Sequence, residues 1–181
     1  MKEHEHHLSA ELTDSEKIVS QAGGWEQYFQ LLLQQEKERL LNKKKELALD
    51  SKEGWAVDIT LQINMDLDQE VQQLGGWEQY YLHECQQLLD SLLRIVPVEY
   101  PPYSIEAAEQ FSTQKKIQEL QSLLKVFQLL KQADVEISFI GLFHSMPPFA
   151  ENIIEPMQAL LEAGKIEEAM MLYNQPGRHY R

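Results

Sequence analysis

The sequence Gly-Gly-Trp-Glu-Gln-Tyr occupies residues 23–28 and occurs again at residues 75–80, an offset of 52 residues. Six consecutive identities, including one of only three tryptophans in the chain, are not expected by chance. The match extends outward, since Val19 corresponds to Val71 and Leu40 corresponds to Leu92. A repeat of this length is typical of one supersecondary unit that was copied once.

Each Gly-Gly pair is followed by apolar residues at mostly three- and four-residue spacing, which predicts a helix that starts at the tryptophan. One glycine can end the preceding helix in a left-handed conformation, and the other can open the next helix without steric cost. Thr13 and Glu16 have the spacing of a capping box, so the first helix should start near Asp14. We therefore predict a helix–Gly-Gly–helix unit at about residues 13–48 and again at about 65–97. The structural repeat residues are Gly23, Gly24, Trp25, Tyr28, Gly75, Gly76, Trp77 and Tyr80.

Residues 55–67 alternate between apolar and polar side chains without a fault. A period of two with β-branched residues predicts a half-buried strand near residues 55–65. A partner strand could lie at residues 135–142, where Val135, Ile137 and Phe139 also alternate. The predicted fold is therefore mainly α-helical, of the α+β class with a small minor sheet, and the alternative is an all-α bundle.

The C-terminal section, about residues 104–176, reads as helical. A long helix should start near Ser112, or already at Ser104, and end near Gln132. Residues 161–173 resemble the middle of a tetratricopeptide-type hairpin through Gly164, Ala169 and Tyr173, which implies two short helices at this point. We expect residues 13–181 to form one helical domain after a flexible tail at residues 1–12. The predicted core consists of Trp25, Phe29, Leu32, Trp77, Tyr81, Leu88, Leu92, Leu120, Leu124 and Phe127.

The charge of the chain is −13 and is unevenly distributed. Residues 53–112 contain eleven acidic side chains and a single basic one, Arg94. This balance argues against a nucleic-acid binder, which needs a positive face to replace phosphate counterions. No apolar run approaches the roughly 20 residues of a membrane span, so we expect no membrane insertion. With a single cysteine and no signal-peptide pattern, an intracellular and cytoplasmic location is expected.

Few residues suggest a catalytic or metal-binding site. Glu26 and Glu78 could face each other across a pseudo-twofold axis and share a proton or a metal, but an acidic residue in the first turn of a helix is explained by the helix dipole. Cys85 lies on an apolar stripe, which predicts a buried and inert thiol. His144 lies in a predicted loop and has no partner visible in the sequence. We therefore expect no enzymatic activity, no cofactor and no metal.

The sequence favours a non-enzymatic helical module for protein–protein interaction or assembly, with a protein partner or a second copy as its ligand. The predicted interaction surface is the basic end of the second helix: Lys37, Arg39, Lys43, Lys44 and Lys45. One alternative is an acidic decoy or inhibitor of a basic protein. Another is a small-molecule pocket between the repeated aromatic units. The proline-containing residues 96–103 predict an extended strap over the helices or a peptide-like recognition element.

Overall fold

The computed structural model describes residues 14–47, 51–95, 98–147 and 151–175, which form helices and connecting segments without any strand. The predicted tail at residues 1–12 lies outside this range. The mainly α-helical fold is confirmed, and the all-α alternative fits the described residues. The helices are α1 (Asp14–Ala22), α2 (Trp25–Glu46), α3 (Lys52–Leu74), α4 (Trp77–Leu93), α5 (Ile105–Gln132), α6 (Phe139–Phe143), α7 (Ile154–Glu162) and α8 (Ile166–Tyr173).

The two Gly-Gly pairs adopt the same backbone. Gly75 has a φ of 95° and ends α3, and the N–H of Gly76 donates to the carbonyl of Val71 at 2.8 Å. The first copy repeats this bond between Gly24 and Val19 at 2.9 Å. The second glycine of each pair has a φ near 116° with an extended ψ, a region that is essentially restricted to glycine. The predicted hinges are therefore confirmed, and both helices begin at the tryptophan.

Helix α3 occupies the residues that were predicted to form a strand. The strand near residues 55–65 and the start of the second helix–Gly-Gly–helix unit near residue 65 are wrong, because α3 runs unbroken from Lys52 to Leu74. Two residues turn a helix by about 200°, so side chains that alternate in sequence fall on two opposite sides of it. Val57 and Val71 face inward, whereas Trp55, Ile59 and Ile63 face outward. The supposed partner strand is also absent, since residues 135–138 are irregular and α6 follows.

Helices α2, α4 and α6 lie side by side, with α3 and α5 as the connecting helices. Helix α2 packs against α3 along its length, with Leu33 and Leu40 buried in the contact. Beyond Leu40, residues 41–46 at the end of α2 are exposed. Aromatic rings connect these helices: the ring centroid of Tyr81 on α4 lies 5.3 Å from that of Phe29 on α2 and 5.4 Å from that of Phe143 at the end of α6.

The most deeply buried side chains belong to the C-terminal half of the described chain. They lie in α5, α6, α7 and the segments between them, and they include Leu120, Phe139, Leu142 and Met157. Of the predicted core, Trp77 and Leu120 are buried and six others are half-buried. Leu32 and Leu88 are wrong, because they are exposed and the adjacent Leu33 and Leu89 point inward.

The remaining helix boundaries follow local capping. The Oγ of Ser104 accepts from the N–H of Ala107 at 3.1 Å, so α5 starts at the earlier of the two predicted positions. At the C-terminal end, Gly164 has a φ of 75° and separates α7 from α8, as the hairpin resemblance implied. Helix α7 packs against both α5 and α8, so this hairpin covers the main core, the buried cluster that includes Leu120, Phe139, Leu142 and Met157.

Candidate functional site

Glu26 joins the two duplicated units. Its carboxylate accepts hydrogen bonds from the backbone N–H groups of Trp77, at 2.7 Å, and Glu78, at 2.9 Å. These are the first N–H groups of α4, which have no partner within their own helix. Gly76, the residue before α4, carries no side chain that could cap it. A carboxylate from α2 therefore caps α4 and also meets the positive end of its dipole.

Glu78 makes the equivalent contact with the next helix. It accepts from the N–H groups of Phe139, at 2.7 Å, and Ile140, at 3.2 Å, and from the Oγ of Ser138 at 2.5 Å. Helix α6 has only five residues, and its Phe139, Ile140, Gly141 and Leu142 are buried. Buried N–H groups are costly without a partner, and Glu78 supplies one.

The carboxylates of Glu26 and Glu78 therefore cap two different helices and do not form a pair. Glu26 on α2 caps α4, and Glu78 on α4 caps α6, so the same kind of contact occurs twice between neighbouring helices. The pseudo-twofold arrangement, in which the carboxylates of Glu26 and Glu78 would face each other, is wrong. The dipole explanation was also incomplete, because each carboxylate reaches the start of a different helix from its own.

A cluster of aromatic rings fills the space between the units. The indole of Trp25 stacks on the imidazole of His144 with 4.6 Å between ring centroids and an interplanar angle of 16°. Phe29 contacts Trp77 at 5.4 Å, and the Nε1 of Trp77 donates to the Oε1 of Gln30 at 3.2 Å. Nδ1 of His144 lies 2.9 Å from the carbonyl oxygen of Ile140. His144 is therefore a buried packing residue at the end of α6, in the region where a small-molecule pocket was the alternative.

The cysteine lies in the main core, as its position on the apolar stripe predicted. Cys85 is buried against α5, and its counterpart in the first unit, Leu33, is buried as well. Burial raises the pKa of the Cys85 thiol to about 11, so the thiolate is scarce at neutral pH. Burial also raises the pKa of the neighbouring Tyr81 to about 12. Neither group has the lowered pKa of an activated nucleophile.

The predicted lysine surface is partly neutralised by α3. The Nζ of Lys37 lies 2.5 Å from a carboxylate oxygen of Asp68, and Lys44 forms an ion pair with Asp58. Arg39 forms a bidentate pair with Glu36 on its own helix, which lowers the pKa of the Glu36 carboxyl through hydrogen bonding and charge. Lys43 and Lys45 are exposed, and Lys45 donates to Asn42 at 3.3 Å. Two of the five predicted residues therefore serve the α2–α3 contact.

An apolar groove lies between the end of α4 and the first half of α5, and we call it the α4–α5 groove. Its volume is about 240 Å³. Val98 and Tyr100, from a segment that is neither helix nor strand, form part of one wall. Val98 is 51% exposed and Ile95 is 58% exposed, so the wall presents apolar surface to solvent. The lining residues are Leu92, Ile95, Val98, Tyr100, Glu106, Glu109, Gln110, Thr113, Gln114 and Ile117.

The charged residues that line this groove are both acidic. Glu106 and Glu109 lie on α5 and are exposed. They belong to the tract from residue 53 to residue 112, in which Arg94 is the single basic residue. The acidic tract and the proline-containing segment are both visible in the sequence, but their meeting in one groove is not. Their meeting depends on the angle at which α5 returns along α4, which has no local sequence signal.

Among the helices described, none is long and apolar enough to cross a membrane. Comparisons with protein-family models, with curated proteins and with solved structures found no match to this chain.

Proposed function

We propose that this protein is a non-enzymatic interaction module that binds a basic, amphipathic segment of a partner protein in the α4–α5 groove. The observation that supports this most directly is the composition of the groove, which combines exposed apolar walls with the carboxylates of Glu106 and Glu109. An amphipathic helix that presents apolar anchors between lysines or arginines would match both features.

The apolar contacts would supply most of the affinity. Burying exposed surface of Ile95, Val98 and Tyr100 contributes about 25 cal/mol for each Å² removed from water. The carboxylates would orient the ligand and select basic over acidic segments, since charge complementarity favours specificity and association rate more than affinity. Binding should therefore weaken with salt without disappearing.

The groove takes precedence over the lysine surface in this proposal. Deleting the end of α2 would not be a clean test of function, because Leu40 is buried and Lys37 pairs with Asp68 there. The lysine surface remains a prediction and is better tested with substitutions at Lys43 and Lys45, which are exposed. The decoy alternative also predicts a basic partner, but binding would then depend on charge alone and not on apolar contacts in the groove.

The test uses three synthetic peptides of equal length and a fluorescence or NMR titration with the full chain. The first is an amphipathic Lys/Leu helix, the second has Glu in place of Lys, and the third has the composition of the first in a non-amphipathic order. We expect the first to bind and the other two to bind at least about tenfold more weakly. Equal binding of the first and third peptides would favour the decoy alternative and contradict the groove.

Variants then locate the site. Glu106→Lys combined with Glu109→Lys should reverse the preference toward the acidic amphipathic peptide, and Val98→Asp should weaken both. Met171→Asp is the matched control, because Met171 is an exposed apolar residue on α8, away from the groove. If Val98→Asp and Met171→Asp bind equally well, the proposed site is wrong.

A further inference from the structure

The outward face of α3 carries an apolar stripe that the described chain leaves uncovered. Trp55 is 69% exposed, Ile63 is 60% exposed and Ile59 is 40% exposed. The three residues are four apart, so they form one line along the helix. Large apolar side chains in a continuous line, rather than scattered singly, mark an interaction surface.

The alternation of apolar and polar residues in α3 also indicates that its outward face is an interaction surface. Val57 and Val71 pack inward, and the second set of apolar residues, Trp55, Ile59 and Ile63, faces away from them. A helix that is apolar on two opposite sides is expected between two packed layers rather than at a surface. The structure supplies one layer, through α2 and α4, and the other side faces solvent.

The residues at the ends of this stripe identify its partner. Lys52 lies three residues before Trp55, and Asp66 lies three residues after Ile63. The spacing of the five residues is therefore the same when read from either end, with Ile59 at the centre. An antiparallel second copy would place Trp55 against the Ile63 of its partner and Lys52 against the Asp66 of its partner.

We infer that two copies of this chain associate through α3 in this antiparallel register. A twofold interface uses the same patch on both copies, so the pairing of Lys52 with Asp66 occurs twice. Both residues are exposed, and Asp66 accepts from Gln62 on its own helix at 2.7 Å, which leaves its second oxygen for the lysine. The contact is made by one helix from each copy, which is less than the roughly 800 Å² per partner of a standard interface. The dimer is therefore weak and depends on concentration.

The first experiment measures the oligomeric state of the full chain by sedimentation equilibrium over a concentration series. The unmodified protein should show a monomer–dimer equilibrium in the micromolar range, and Ile63→Asp should be monomeric throughout. Met171→Asp is the control, because Met171 is an exposed apolar residue like Ile63, at 69% against 60%, but lies on α8. Circular dichroism should show that both variants fold, since both substitutions lie on the surface.

A charge exchange tests the register. Lys52→Glu and Asp66→Lys should each weaken the dimer by about tenfold, because two ion pairs become like-charge contacts. An equimolar mixture of the two single variants should restore it, since each heterodimer then has two attractive pairs. The double variant Lys52→Glu/Asp66→Lys should also dimerise as well as the unmodified protein.

Three results would overturn the inference. They are a protein that stays monomeric at all accessible concentrations, a dimer that persists in Ile63→Asp, and a mixture of single variants that does not recover. The outcome does not depend on the α4–α5 groove. Peptide binding by Ile63→Asp should equal that of the unmodified protein if the two surfaces act separately.

Discussion

Glu26 and Glu78 hold equivalent places in the two duplicated units, yet they cap very different helices. Glu26 caps the 17-residue α4 through two N–H groups, whereas Glu78 caps the five-residue α6 through two N–H groups and a serine hydroxyl. The duplicated hexapeptide therefore encodes one device, a carboxylate directed at the next helix start. How much this capping carboxylate contributes to stability depends on the helix that it caps.

The sharpest difference between the units should appear at the tryptophans. Trp77 is 5% exposed and contacts Phe29 and Tyr81, so Trp77→Ala should lower the free energy of unfolding by about 3–5 kcal/mol. Trp25 is only half-buried, and Trp25→Ala should cost about half as much. Urea denaturation of both variants provides the measurement. Equal losses would show that the two indoles contribute alike.

Loss of the glutamate should also destabilise the protein more in the second unit than in the first. Glu78→Ala removes a charged acceptor from three donors, two of them N–H groups of a buried helix, and should cost about 2–3 kcal/mol. Glu26→Ala removes two bonds at a part-buried position and should cost about 1–2 kcal/mol. Hydrogen exchange adds a local readout. The Phe139 amide should lose protection in Glu78→Ala, and the Trp77 amide in Glu26→Ala.

Alanine substitutions at Gly24 and Gly76, the second glycine of each pair, distinguish the cost of backbone strain from the cost of disturbing the capping contact. Gly24 and Gly76 have the same φ within 2°, so alanine should cost each about 1–3 kcal/mol for its conformation. An added Cβ at Gly76 would lie 2.6 Å from Oε1 of Glu26, whereas at Gly24 it would meet only the flexible Gln27 side chain at 3.3 Å. Gly76→Ala should therefore be the more destabilising by about 1 kcal/mol. Combining it with Glu26→Ala should remove that excess.

The smallest effect is expected at the ion pair between α2 and α3. Lys37 pairs with Asp68, whereas the counterpart of Lys37 in the second unit is the buried Leu89. The hydrogen bond from Lys37 lowers the pKa of the Asp68 carboxyl, with further contributions from its charge and from glutamine side chains. The folded pKa is below the unfolded one, so the stabilisation is complete above about pH 4 and is lost as the pH falls through the folded value.

Asp68→Asn measures this contribution. The variant should be less stable than the unmodified protein by at most about 1 kcal/mol at neutral pH, because the pair is close to the surface. The difference should shrink toward zero in acid, when both proteins carry an uncharged side chain at position 68. Unfolding curves at pH 7 and at pH 3 provide the comparison. A difference that stays constant with pH would show that the charge is not responsible.

Local sequence patterns predicted most helix boundaries. The glycine pairs, the serine before α5 and Gly164 each act within a few residues, through φ or through a capping bond, and all of them fixed a helix end. The strand prediction failed for a different reason. Alternation in residues 55–67 produces one apolar face on a strand and two on a helix, and local sequence cannot tell which of these the rest of the protein will cover.

The candidate site was less predictable than the fold. Lys37 and Lys44 were predicted to belong to an interaction surface, and no sequence pattern indicated the ion pairs that they form with Asp68 and Asp58 on α3. The capping role of Glu26 and Glu78 had no signal in the sequence, because the helices that they cap begin 51 and 61 residues further along the chain. The groove likewise depends on where α5 lies against α4.

By itself, the sequence determined that the chain is mainly helical, that two copies of one helix–Gly-Gly–helix unit exist, and where most helices begin and end. These properties depend on side-chain spacing and on backbone conformations that glycine alone adopts readily, both of which act over a few residues. Only the tertiary structure decided which helix each glutamate caps, which lysines form ion pairs with α3 and which apolar face of α3 the described residues leave exposed. Those outcomes depend on distances between residues far apart in the chain, and packing of the whole core sets such distances.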